Sequence, residues 1–275
     1  MNPRQPAAQL RTIHIDDPCD PRIAAYRDIR ERDLVGREGR FVAEGKVVLA
    51  ALFSGRRFEA ESVLVLENRL EGLADTLAAA PGDLPVYVAG AAVMDAIAGF
   101  PMHRGILAVG RRRAPETLEG LLASLPPRAT IVVLVGLANH DNVGAIFRNA
   151  AAFGADAVLL DGTSCDPLYR KAIRVSVGAA LKVPFVRGGD AAQIFEAVRR
   201  HGFEPVALSP AGAEDIRSIG RAQRVALVLG TEGPGLPAAL LGSLRTARIA
   251  MAPGFDSLNV AAASAIALHE MFRTG

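Results

Sequence analysis

Ser257-Leu258-Asn259-Val260 opens an alanine-rich stretch, Ala261-Ala262-Ala263 and Ala265, near the end of this 275-residue chain. Two earlier segments complete a pattern with it: Asn142-Val143-Gly144-Ala145-Ile146-Phe147-Arg148 and Leu229-Gly230-Thr231-Glu232-Gly233-Pro234-Gly235-Leu236. Each follows an apolar, strand-like run and sits where a helix should begin. Three such junctions, rich in Gly and uncharged polar side chains, predict one ligand site, because open α/β sheets bind ligands at the carboxyl ends of their strands.

Around these loops the pattern is regular. Ile131 to Val135 is a continuous apolar run, as expected for a strand covered on both faces. Val143, Ile146, Phe147, Ala150 and Phe153 predict a helix from Asn142 to Phe153, closed by Gly154. Strands are expected at Ala157–Leu160, Val183–Val186, Pro205–Leu208, Arg224–Leu229 and Ala247–Met251. Helices are expected at Tyr169–Val177, Ala191–Arg200, Pro237–Leu241 and Ser257–Phe272. The alternation predicts an α/β fold with a mostly parallel sheet and helices on both faces.

The upstream half reads as a smaller α/β unit over 20–112. Its helices are expected at Lys46–Phe53, Leu70–Ala80 and Ala91–Ile97, and its strands at Ser62–Leu66, Val86–Val88 and Gly105–Val109. Residues 1–19 lack periodicity and read as an N-terminal arm. Pro and charge cluster over 113–128, read as a linker with a short helix at Glu116–Ala123. The second unit then covers 129–275.

Half of the chain is hydrophobic and the net charge is only +2, so a large core is available and charge position matters more than its total. No apolar run reaches roughly 18 residues, so no membrane span is expected. The N-terminus lacks the apolar core of a signal peptide. Cys19 and Cys165 are too few for a disulfide framework or a zinc site, and the five His show no metal spacing, so no metal is expected. The natural compartment is a reducing cytoplasm. Pro167 to Gly189 carries Arg170, Lys171, Arg174, Lys182 and Arg187 with no Asp or Glu. It is either a solvated face or a phosphate-contacting surface. Arg111, Arg112 and Arg113 are likewise an RNA contact or a charge-protected sheet edge.

The loops favour a particular chemistry. Asn142 suits a helix N-cap, and Gly144 permits close backbone approach. Arg148 lies about 200° around the helix from Ile146, off the buried face, and its guanidinium is suited to clamping a phosphate. The GTEGPGL loop has the order GxxGxG rather than that of a dinucleotide fingerprint, and it lacks a P-loop Lys. Its exposed backbone suits a nucleoside read by main-chain hydrogen bonds. Ser257 is suited to capping the last helix, with Asn259 in its first turn. There is no GxSxG, no nucleophilic Cys with a partner and no obvious carboxylate pair. A reaction driven by alignment, such as alkyl transfer from a reactive donor, is therefore favoured.

Together, NVGAIFRNAAAFGAD, LVLGTEGPGL and IAMAPGFDSLNVAAASAIALHE resemble, in order and spacing, the three motifs of the SpoU/TrmH family of S-adenosylmethionine-dependent RNA ribose 2′-O-methyltransferases. Arg170 to Pro184 resembles the family's basic connecting stretch. The N-terminal unit, with FVAEGKVVLAALFSG and HRGILAVGRRR, is similar to the small ribosomal-protein-like RNA-binding domain of many members. The resemblance implies a deep C-terminal trefoil knot and a homodimer. It implies S-adenosyl-L-methionine held by Gly230, Ile249 and Leu258, with Thr231, Glu232, Gly233 and Met251 lining or bracing the pocket and Leu208 and Ser209 closing it. It maps the catalytic positions to Asn142, Arg148, Ser257 and Asn259. Arg148 would hold an RNA phosphate beside the target ribose, and Arg170, Lys171, Arg174 and Arg111 to Arg113 would contact RNA. The family pattern is broken at Ala250 (usually Pro), Ala261 (often Ser) and His140 (often Pro). Ribosomal RNA is the expected substrate. A transfer RNA substrate, base methylation, and a non-catalytic RNA-binding or ribosome-assembly protein of the same fold are the alternatives.

Overall fold

A computed structural model describes residues 12–27, 39–98, 105–114, 116–219, 223–231, 233, 235–254 and 256–272. The strands are β1 (Thr12–Ile15), β2 (Arg40–Glu44), β3 (Phe58–Leu66), β4 (Val86–Ala89), β5 (Ile106–Arg112), β6 (Ala129–Leu134), β7 (Ala157–Leu160), β8 (Phe185–Arg187), β9 (Glu204–Leu208), β10 (Glu214–Asp215), β11 (Arg224–Leu229) and β12 (Arg245–Arg248). The helices are α1 (Lys46–Ser54), α2 (Ala74–Leu77), α3 (Ala91–Ala98), α4 (Leu118–Ser124), α5 (His140–Ala152), α6 (Arg170–Val175), α7 (Ala191–Arg200), α8 (Ala238–Leu241) and α9 (Val260–Met271). The chain divides into two units, Met1–Ala114 with Leu168–Leu181, and Pro115–Pro167 with Lys182–Gly275.

In the first unit the strand order is β1-β4-β3-β5-β2. β3 and β1 flank β4 in parallel, and β5 runs antiparallel to both β3 and β2. The expected N-terminal arm is corrected here. Thr12–Ile15 pairs with Val86–Ala89 and buries Ile15, although four residues are too few to show a period of their own. The rest of the arm, 1–11, lies outside the described residues. The helix expected over Leu70–Ala80 is replaced by one 3-10 turn, Glu71–Leu73, and the single turn of α2, anchored by buried Leu73 and Leu77. Gly72 in the middle disfavours a continuous helix.

Of the basic stretch, Leu168–Leu181 belongs to this first unit, while Lys182 and Arg187 fall in the second. Arg170 Nε donates to Glu44 Oε2 at 3.0 Å. Gly178 lies so close to α1 that a Cβ there would sit 2.9 Å from Ala51 Cβ. Ser176 Oγ ties the end of α6, donating to the Ile173 carbonyl and accepting from Ala180 N–H.

The second unit has strand order β10-β12-β9-β11-β6-β7-β8, with every pairing parallel. β11 inserts between β6 and β9, two strands that precede it in the chain. Ile131, Val133, Leu159, Ala226 and Val228 form one buried sheet face with Ile194, Phe195 and Val198 of α7. Leu121 and Leu122 of α4 join the same core. The stretch read as a linker, 113–128, thus carries a helix of the core, because two adjacent leucines are buried there rather than exposed. On α5, Val143, Ile146 and Phe147 are fully buried, and Phe147 meets Phe185 edge to face at 5.5 Å. Gly154 (φ +66°) ends this helix as expected, with Ala155 N–H bonded to the Ala150 carbonyl.

Candidate active site

The sheet delivers β12, β9 and β11 side by side, and their carboxyl ends open into one cavity of about 380 Å³. Leu208, Ser209 and Pro210 enter it after β9, Leu229, Gly230 and Thr231 after β11, and Ile249 and Met251 after β12. Ser257, Leu258 and Asn259 close it ahead of α9. β12 ends at Arg248, earlier than the expected Ala247–Met251, so Ile249 and Met251 leave the sheet and reach the cavity. Of the loop residues singled out in the sequence, Gly233 also lines it, while Glu232 lies outside the described residues.

Close backbone packing shapes this cavity. At Gly230 an added Cβ would stand 2.6 Å from Leu236 N and 2.7 Å from Gly235 C. Thr231 Oγ1 donates to the Gly235 carbonyl at 3.0 Å, and the two residues form an isolated antiparallel bridge. Gly233 (φ +82°) and Gly235 (φ +69°) supply the left-handed turns this tight loop requires. After β9, Gly212 lies directly on β12, where a Cβ would come 2.2 Å from Ala247 C. Arg248 Nη1 donates to the Gly212 and Ala213 carbonyls, both at 2.8 Å. The loop carrying Ser209 and Pro210 is thereby pinned beside Ile249.

Two sequence assignments of caps are corrected. Asn139, not Asn142, caps α5, its side chain accepting from Asp141 N–H at 2.8 Å. Asn142 falls inside the first turn and is buried. Asn259, not Ser257, caps α9, accepting from Ala261 N–H at 2.8 Å and Ala262 N–H at 3.3 Å. With its oxygen so used, Asn259 donates from Nδ2 to Asn142 Oδ1 at 3.0 Å. The first and third motifs therefore meet through one side-chain hydrogen bond. Asn149, seven residues after Asn142 and on the same helix face, adds a second tie, donating at 2.8 Å to both the Ala261 carbonyl and Ser264 Oγ. The sequence reading missed Asn149, although polar residues spaced by seven on an apolar helix face are a visible signal.

Arg148 is on the same helix but exposed, about 120° around from Asn142, and it does not line the cavity. Asp161, after β7, is a second residue the sequence did not single out. Its Oδ1 accepts from Gly136 N–H (3.0 Å), Ser164 N–H (2.9 Å) and Ser164 Oγ (2.6 Å), and its Oδ2 accepts from Thr163 Oγ1 (2.6 Å). Burial pushes this carboxyl up, but the hydrogen bonds from Ser164, Thr163 and Gly136 outweigh it and leave it below the ordinary carboxylate range. Gly136 (φ +70°) is pressed against the Gly-rich loop, since a Cβ there would lie 2.6 Å from Thr231 Cγ2. Asp161 therefore braces the backbone on which Thr231 rests. Burial, with a smaller contribution from Asp166, pushes the Cys165 thiol up to about 11, so it is not a thiolate at neutral pH.

The basic candidates separate by environment. Arg170 is tied to Glu44, and Arg111 is paired with Glu61 at 3.0 Å. Lys171, Arg174 and Arg113 are exposed, and Arg112 is half-buried. Among the described residues no cluster of three His, Cys, Asp or Glu is placed to hold a metal ion, and no helix is long and apolar enough to cross a membrane.

Residues 129–269 match the model of the SpoU rRNA Methylase family. An uncharacterised tRNA/rRNA methyltransferase of Mycobacterium bovis is 40% identical over 271 residues, covering 94% of this chain and 91% of the relative. The 23S rRNA (guanosine-2′-O-)-methyltransferase RlmB of Xanthomonas campestris pv. campestris is 29% identical over 184 residues, covering 66% of this chain and 74% of RlmB. Among solved structures, the AdoMet-bound rRNA methyltransferase from Sinorhizobium meliloti superposes with a TM-score of 0.79 at 26% identity, covering 94% of this chain and 97% of that one.

Proposed function

Because the chain belongs to the SpoU rRNA methylase family, we propose that it transfers a methyl group from S-adenosyl-L-methionine to a ribose 2′-hydroxyl of structured RNA, ribosomal RNA first. The observation that carries this reading is the meeting of the second and third motif loops at one cavity, with Asn259 lining it and joined to the first motif by its bond to Asn142. The family's cofactor fits the residues present. Gly230 forms a cradle that a Cβ would fill, and Leu229, Leu236, Ile249 and Leu258 offer an apolar face for an adenine. Gly230, Ile249 and Leu258 would hold the cofactor through backbone and apolar groups, while Thr231, Gly233 and Met251 line the pocket. Leu208 and Ser209 close the far side. When bound, the cofactor supplies an activated methyl on a sulfonium, a good leaving group.

The remaining work falls to the chain itself. Asn142, Ser257 and Asn259 orient the ribose hydroxyl and fix the loops around it. Arg148 holds the adjacent RNA phosphate and polarises the hydroxyl. A guanidinium resists deprotonation at neutral pH, so the proton leaves to phosphate or solvent. Since Arg148 does not line its own chain's cavity, the working enzyme is a homodimer in which a second copy completes the site. The exposed apolar stripe of Ala262 and Ile266, with Leu258 ahead of it, is the surface that a second copy covers. The C-terminal unit carries the family's trefoil knot, for which the late insertion of β11 between β6 and β9 is the supporting feature. The N-terminal unit binds the RNA, the enzyme works in the cytoplasm, and no step requires a metal.

Arg148→Ala is expected to lower single-turnover methyl transfer at least 100-fold while calorimetry with S-adenosyl-L-methionine gives an unchanged affinity. Near-normal turnover removes Arg148 from the mechanism. Mapping 2′-O-methyl sites on total RNA with and without the protein identifies the target. A methyl group on a base, or none on ribosomal RNA, overturns the corresponding part of the reading.

A further inference from the structure

The helix that Asn259 caps has a plain buried face. α9 buries Ala261, Ser264, Ala267 and Leu268. Except for Leu268 these side chains are short and give the ridges of a neighbouring helix little to lock into. Apolar packing alone therefore sets the position of α9 along α5 only loosely. Two polar ties fix it instead. The first, from Asn259 to Asn142, lies at the cavity. The second is made by Asn149, about 10 Å further along α5 by the rise of seven residues, and Asn149 does not line the cavity.

The donors and acceptors of this second tie are forced. Ser264 is fully buried, and the single hydrogen of its Oγ goes to the Ala261 carbonyl at 2.7 Å, so Oγ accepts from Asn149 Nδ2. The other hydrogen of Nδ2 meets the same Ala261 carbonyl, which is an acceptor only. Ala261 is the residue that the two ties share. Its N–H is bonded to Asn259 Oδ1, and its C=O is held by Asn149 and Ser264. A bonded path thus runs from Asn149 through Ala261 and Asn259 to Asn142, leaving α5 and returning to it. A slip of α9 by about 1 Å would carry Asn259 Nδ2 out of hydrogen-bond range of Asn142, and a misplacement of that size near the reacting groups costs about 100-fold in rate. Stability alone does not call for such a tie, because apolar groups of similar shape pack a helix interface as well. What a polar pair adds at an otherwise apolar contact is register.

We propose that Asn149 and Ser264 are positioning residues for methyl transfer, setting the register of α9 on α5 and through it the placement of Asn259 in the cavity. The inference rests on the methyltransferase reading for its reaction, not for its geometry. The test compares the full-length wild type with the double variant Asn149→Leu/Ser264→Ala, which removes both polar partners together and strands neither. Three quantities are read: steady-state transfer to transcribed, unmodified 23S ribosomal RNA, thermal melting, and the NMR resonance of the Asn259 side-chain amide, assigned by its absence in Asn259→Asp. The double variant is expected to melt within a few degrees of wild type and to keep KM and the affinity for S-adenosyl-L-methionine. Its kcat should fall at least tenfold, and the Asn259 amide resonance should move. Should Leu at 149 prevent folding, Asn149→Ala carries the same expectations. Wild-type kcat in a variant that melts normally overturns the proposal, as does an Asn259 amide that stays where it was. Calorimetry with S-adenosyl-L-methionine on the wild type separately reads the methyltransferase assignment. Absence of heat sinks that assignment, and a wild type that leaves this RNA unmethylated sinks its ribosomal substrate. In either case the amide resonance still decides whether Asn149 governs Asn259.

Discussion

The side-chain amide of Asn259 works at both ends: its oxygen caps α9 and its nitrogen reaches Asn142. Two substitutions separate these roles. Asn259→Ala loses both and is expected to cost about 1 kcal/mol of stability, the usual value of a cap, along with most methyl transfer. Asn259→Asp keeps the accepting oxygen at a helix N-terminus, where negative charge is favourable, but cannot donate to Asn142. It should melt within a few degrees of wild type yet turn over at least tenfold slower, as a thermal scan beside a single-turnover assay would reveal. Asp161 gives a pH test. Its folded carboxyl is lowered, so its contribution to stability is complete above the unfolded value of about 3.9 and disappears as pH falls through the lower folded value. Asp161→Asn places an amide opposite donors. It is therefore expected to cost about 1–3 kcal/mol at neutral pH, with the gap to wild type narrowing in urea titrations as pH falls below the unfolded value. A gap independent of pH would show that the carboxylate charge is not what braces Gly136.

Among the elements, the Gly-rich loop after β11 is the one whose geometry tolerates least. Gly230→Ala forces a methyl against Leu236 N. Cofactor affinity should fall at least tenfold, with a stability loss of about 1–3 kcal/mol, while far-UV circular dichroism is retained. The end of α6 behaves oppositely. Val177 is held at φ +53°, a conformation costly for a β-branched side chain. Val177→Gly releases the strained backbone and is expected to stabilise the protein by about 1 kcal/mol in urea unfolding. The central elements of the second unit were legible in sequence because each carries its own signal. The apolar run of β6 and the helical period of α5 need no tertiary information. β1 was not legible, because four residues gain their structure from β4. The cap positions were misread by two or three residues because Asn139, Asn142, Ser257 and Asn259 are all capable caps by type, and only the packed geometry selects among them. Gly230, Thr231, Gly233, Ile249, Met251, Ser257, Leu258, Asn259, Leu208 and Ser209, singled out in sequence by likeness of motif, all line one cavity, and binding experiments decide what it holds. Asp161 and Asn149 were missed, since an isolated Asp or Asn announces no role until its partners are in place.

For the whole molecule, the exposed stripe on α9 gives a direct measurement. Ile266→Glu places a charge on the surface assigned to the second copy. Light scattering is expected to show a monomer where the wild type is a dimer, with transfer lost alongside. A dimer that persists would move the interface elsewhere. The chain also passes between its two units three times, at Ala114/Pro115, Pro167/Leu168 and Leu181/Lys182. The Arg170–Glu44 pair and the seat of Gly178 on α1 are thus supplied to the first unit from deep inside the second half of the sequence. A fragment cut at residue 114 would strip β2 and α1 of their cover, exposing the Glu44 carboxylate and the apolar flank around Ala51. The first unit therefore cannot be transplanted onto another enzyme as an N-terminal cassette. Anyone grafting the first unit must also carry the 14-residue segment Leu168–Leu181, so no single cut in the chain separates the two units.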